Sequence, residues 1–113
     1  MKDDNLYLIH ISECIDKIQQ YTSDGKTAFL NCSKTQDAVI RNFEIIGEAV
    51  KRLSDSTRQR TPYIPWRQFA GFRDILIHKY EGVDISEVWQ TIESDIPALR
   101  KAVKILLDVE NAK

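Results

Sequence analysis

Long apolar runs are missing from this chain of 113 residues. No stretch approaches the ~20 apolar residues a helix needs to cross a bilayer, so a soluble protein is expected. Cysteine is scarce: Cys14 and Cys32 have neither C-x-x-C nor metal-ligand spacing. With no signal peptide in view, they read as reduced, packed thiols of a cytoplasmic protein. An excess of one charge is also missing. Sixteen Lys and Arg against seventeen Asp and Glu, net −1 and a pI near 6.1 argue against a generic nucleic-acid coat protein, which needs a strong basic surplus. No acidic cluster suited to Mg²⁺ is visible, and no metal or other cofactor is expected. Internal repeats, low-complexity segments and strand-like alternation are absent too.

What is present is a chain of 42% hydrophobic and 29% charged residues with both signs interspersed, enough for one domain over residues 1–113 with a real core. The charge is uneven. Residues 41–79 carry eight cationic side chains against four acidic ones, an excess of four, which leaves −5 for the flanks. A basic centre suits a phosphate backbone; solvated faces explain the same count.

The apolar spacing predicts helices throughout. The first runs from Asp3 or Asp4 to about Tyr21, with Leu6, Ile9, Ile11, Ile15 and Ile18 as its stripe, and Ser23-Asp24-Gly25 ends it. A single turn is expected within residues 27–31. Ser33 with Gln36 fits a capping box opening a second long helix, whose Val39, Phe43, Ile46, Val50 and Leu53 form one stripe. Gly47 inside that helix costs ~1 kcal/mol relative to Ala, which points to close approach of a neighbour. Residues 54–65 read as a polar connection, and Pro65 starts a third helix with Trp66, Phe69, Phe72 and Leu76 on one face. Asp84 with Glu87 opens a last helical region to about Val109, kinked or broken near Ser94-Asp95 by Pro97. Trp66 and Trp89 read as core anchors. The fold class is all-α, an antiparallel four-helix up-and-down bundle with one short extra helix.

The chemistry is concentrated in Arg73-Asp74-Ile75-Leu76-Ile77-His78-Lys79-Tyr80. A permanently charged fork for phosphate, a group that exchanges protons near neutral pH and a phenolic hydroxyl together fit work on a phosphodiester. At ~100° per residue, Arg73 and Tyr80 fall within about 20° of each other, while His78 is turned about 140° from Arg73. Side chains that curl round, a helix end near His78 (Gly82 follows) or a second copy of the chain are the ways to join them. The last predicts a homodimer with its cleft between subunits. Ile75, on the side of His78, points to such an interface.

The pattern R-x-x-x-x-H-x-Y resembles the signature of HEPN-domain proteins, in particular the HepT toxins that work beside a MntA nucleotidyltransferase antitoxin. The likeness extends to Ile40-Arg41-Asn42-Phe43-Glu44-Ile45-Ile46-Gly47-Glu48-Ala49, to Ile64-Pro65-Trp66, to Tyr80-Glu81-Gly82-Val83-Asp84 and to Val88-Trp89, covering roughly residues 3–108. The resemblance implies a HEPN domain acting as toxin of a type VII-like pair. It would be a metal-independent endoribonuclease cutting tRNA or mRNA, with Arg73 and His78 catalytic and Tyr80 receiving AMP from the MntA-type partner. Asp74, Arg41 and Asn42 are further candidates for the cleft. Many HEPN nucleases carry Asn where this chain has Asp74, a carboxylate beside the phosphate-binding cation. A second function therefore stays open, a non-catalytic subunit that binds a nucleotide or presents substrate to a minimal nucleotidyltransferase.

Overall fold

The computed structural model describes residues 2–78 and 82–111, with no account of the side chains of residues 2, 3, 110 and 111. Among the described residues every regular element is a helix: α1 (Lys2–Tyr21), α2 (Lys26–Leu30), α3 (Ser33–Arg52), α4 (Asp55–Gln59), α5 (Trp66–His78), α6 (Ile85–Ser94) and α7 (Ile96–Asn111). None of them is long and apolar enough to cross a membrane.

Helix α3 forms the middle of the bundle. Val39, Phe43, Ile46 and Val50 are almost wholly buried, and α1 and α5 flank it. The α1 stripe differs from expectation. Leu8, Ile11, Ile15 and Ile18 are fully buried, whereas Leu6 and Ile9 are exposed. The 3-4-3 spacing from Leu8 follows the helical period, and Leu6 and Ile9 fall on the other side of the cylinder. Helix α7 closes the core against α1 through Leu99, Val103 and Leu106.

Polar contacts fix the directions. Asp4, at the start of α1, bonds to Ser54, just past the end of α3. Arg100, early in α7, donates to Asp16 and Gln19 near the end of α1. Both pairs join opposite ends, so these neighbours run antiparallel.

Two caps depart from the sequence reading. Ser33 is the first residue of α3 and Cys32 takes the N-cap without a side-chain bond. Gln36 turns its amide to the Phe29 carbonyl, 2.9 Å away, satisfying the end of α2 rather than completing a box. Asp84 does cap α6, accepting from the Ser86 amide at 2.9 Å. The polar connection contains an unforeseen short helix, α4, capped by Ser54. The bundle thus carries two short pieces rather than one. The last region is broken at Asp95, with Pro97 in the first turn of α7, where its missing N–H costs nothing.

The Asp4 carboxylate is 3% exposed. It accepts from the Ser54 amide (3.0 Å), the Ser54 hydroxyl (2.5 Å) and the Thr57 hydroxyl (2.5 Å). Burial acts to raise its pKa, but these hydrogen bonds outweigh it and hold the group below the ordinary carboxylate value. A depressed folded pKa means that its stabilisation is complete above the unfolded value of about 3.9 and fades as pH falls through the folded one. Asp4→Ala should cost about 2 kcal/mol at pH 7, because it orphans buried donors. Urea titrations should show the gap to wild type narrowing below about pH 4; a gap independent of pH would contradict the assignment.

Candidate functional site

The seat of Arg73 is made by the residue opposite it. A Cβ built on Gly47 would lie 2.3 Å from Arg73 Cβ and 3.0 Å from the Phe69 carbonyl oxygen. Only a hydrogen fits there, so α5 lies directly on α3. The Phe43 and Phe72 rings meet edge to face at 5.3 Å one turn away and hold the same approach.

With its Cβ on Gly47, the Arg73 guanidinium lies among carboxylates. Its Nη2 is 3.2 Å from Glu48 Oε2 and its Nη1 is 3.0 Å from Asp74 Oδ1. Asp74 also accepts from Lys51 Nζ at 2.7 Å, and Glu48 from Arg52 at 3.1 Å. The charges alternate as Arg52, Glu48, Arg73, Asp74, Lys51, three positive and two negative. Lys51 and then Arg73 hold the Asp74 carboxyl below its ordinary pKa, so Asp74 stays ionised and clamps the arginine. The Tyr7 hydroxyl and Glu48 do the converse for Arg52, raising its pKa.

This network rims a cleft of about 280 Å³ between three helices. Tyr7 and His10 line it from α1, Arg73 and Ile77 from α5, and Arg41, Glu44, Glu48 and Arg52 from α3. Arg41 thus faces the same space as Arg73. Asn42 does not; it is 6% exposed and bonds to the Ala38 carbonyl at 2.8 Å within its own helix.

His78, the last residue of α5, is exposed and absent from the lining of this cleft. At ~100° per residue His78 is turned about 140° from Arg73 on α5, and it lies outside the cleft that Arg73 lines. Tyr80 lies outside the described residues. The other face of α5 has Gly71 with open space above it and Ile75 at 52% exposure, beside a groove of about 350 Å³ that reaches Thr91 of α6 and Asp95 just past its end.

Residues 11–106 match the family model described as Ribonuclease HepT-like. The chain belongs to the HepT-like ribonuclease family. It is 46% identical over 95 residues to a protein of Thermococcus cleftensis named "Probable ribonuclease HepT", covering 83% of this chain and 86% of that one. It is also 40% identical over 111 residues to a protein of Caldanaerobacter subterraneus named, by inference, as an RNase, covering 97% and 99%. A longer Methanocaldococcus jannaschii protein, named gamma-glutamylcyclotransferase and, by inference, RNase, is 46% identical over 114 residues. The chain spans about half the length of that relative. No solved structure matches.

Within this HepT-like domain, sequence reasoning missed His10, which comes from a helix remote in the chain. The signal was slight: Tyr7 and His10 are three apart, beside the buried stripe, and which helix they face is set by packing alone. Gly47→Ala tests the seat of Arg73. The change should gain ~1 kcal/mol of helix propensity yet lower net stability by about 2 kcal/mol through overpacking. Chemical denaturation that finds the variant as stable as wild type would contradict the close approach.

Proposed function

We propose that this HepT-like chain is a metal-independent endoribonuclease, the toxin of a two-component pair, whose catalytic cleft is completed in a homodimer. The observation that carries the reading is the divergence of Arg73 and His78. Arg73 lines the α1–α3–α5 cleft while His78 is exposed at the end of α5 and outside that lining, which favours a second copy bringing its own end of α5 to the phosphate. Such a copy would present the His78 side of α5, which also carries Gly71 and Ile75, to the Arg73 cleft of its partner.

In the assembled cleft, His78 takes the proton of a ribose 2′-hydroxyl as that oxygen attacks the adjacent phosphorus. Arg73 neutralises the charge gathering on the phosphorane, and the departing 5′-oxygen takes a proton from water while His78 returns its own to solvent, giving a 2′,3′-cyclic phosphate and a free 5′-hydroxyl. The partner is a MntA-type nucleotidyltransferase that silences the enzyme by transferring AMP from ATP to the Tyr80 hydroxyl with loss of pyrophosphate. The added phosphate competes with RNA for Arg73.

A second reading has one observation in its favour. Arg73 already bonds to two carboxylates, Glu48 and Asp74, as befits a subunit that holds a nucleotide or presents substrate without cutting. His78→Ala separates the two. On the ribonuclease reading it lowers RNA cleavage by about a thousandfold and abolishes growth inhibition, and co-expression with the nucleotidyltransferase adds AMP to the Tyr80 peptide by mass spectrometry. Unchanged cleavage in that variant removes the claim, and AMP found elsewhere removes the proposed silencing.

A further inference from the structure

Of the three arginines in the α1–α3–α5 cleft, two are firmly held. Arg73 bonds to Glu48 and Asp74, and Arg52 to Glu48. Among the described residues Arg41 reaches only Glu44, at 3.5 Å, with 70% of its side chain exposed. Helix α1 brings His10 to the same cleft. Its ring stands edge-on to Tyr7, centroids 6.5 Å apart, and among the described residues no protein hydrogen bond occupies its nitrogens. A packing role does not suit it, since His10 is exposed and the stripe on either side, Leu8 and Ile11, fills the core.

The charged groups facing this space are His10 from α1, Arg41, Glu44, Glu48 and Arg52 from α3, and Arg73 from α5. Three guanidinia against two carboxylates leave the cleft cationic. The walls also carry apolar surface from Ile45, Ala49 and Ile77.

We propose that His10 and Arg41 form a second phosphate subsite, gripping the RNA phosphodiester next to the one that Arg73 engages, so that the strand crosses from α5 over α3 to α1. The proposal rests on the ribonuclease reading for the identity of the strand. Arg41 forks onto the non-bridging oxygens, His10 donates a ring N–H, and the weak Glu44 contact is exchanged for a charge-assisted one. Both side chains already face water, so binding requires little rearrangement of the helices.

The test is the affinity of the full chain for a labelled single-stranded oligonucleotide with 2′-O-methyl riboses, which lacks the attacking hydroxyl and is not cut. Fluorescence anisotropy should show His10→Ala and Arg41→Ala each weakening Kd about tenfold. Arg41→Ala should also lower the slope of log affinity against log salt by about 0.7, the share of one single-strand phosphate contact. Circular dichroism checks that both variants keep their helices. Kd values within twofold of wild type, no binding by the wild-type chain, or AMP occupying the cleft more tightly than the oligonucleotide would each overturn the subsite. The two readings fail separately. His10-dependent binding without cleavage of the unmodified strand removes the ribonuclease and keeps the subsite, whereas intact cleavage and binding in His10→Ala removes only the subsite.

Discussion

The structure turns on a contact with almost nothing in it, the absent side chain of Gly47 beneath Arg73 Cβ. Bringing α5 onto α3 at that distance costs helix propensity at Gly47. In return the base of a long cationic side chain is held fast while the side chain as a whole stays 26% exposed, its guanidinium beside Glu48. A bulkier residue at 47 displaces α5 and, with it, the line of charges from Arg52 to Lys51. The seat and the charge network are therefore one arrangement, with steric fit setting the position and electrostatics the orientation.

That arrangement also separates the two groups expected to do chemistry. Once Arg73 is committed to the α3 side, the helical period sends His78 to the opposite flank, with Ile75 and the open face above Gly71 for company. A solvated isoleucine is unremarkable singly; beside a bare glycine and a groove against α6 it marks a surface suited to another helix. Within one protomer, Arg73 instead shares its cleft with His10, Arg41 and Tyr7. The α1 helix thus enters the functional surface by packing, not by any motif of its own.

Much of this was legible in the order of residues. The α3 stripe from Val39 to Leu53, the small residue at 47, the break before Pro97 and the divergence of Arg73 from His78 all follow from the helical period and from the chemistry of Gly and Pro. The failures are tertiary. Ser33 and Gln36 have the spacing of a capping box, but the carbonyl of Phe29 at the end of α2 takes the Gln36 amide. Leu6 and Ile9 are apolar yet exposed, because Leu8 fits the period of the stripe and they do not. Asp4 to Ser54 and Thr57 spans about half the chain, and no local pattern announces such a bond. The place of His10 in the cleft is of this kind too, set only by which helix α1 lies against.

The most direct measurement of the composite cleft mixes two dead chains. Arg73→Ala and His78→Ala are each purified inactive, then combined, dissociated and reassociated, and RNA cleavage is followed. If the arginine of one copy works with the histidine of the other, half the dimers are mixed and each carries one intact cleft, so about a quarter of wild-type activity returns. If the mixture stays as inactive as its components while mixed dimers are shown to form, the two groups act from the same chain, and the division of labour between copies is wrong.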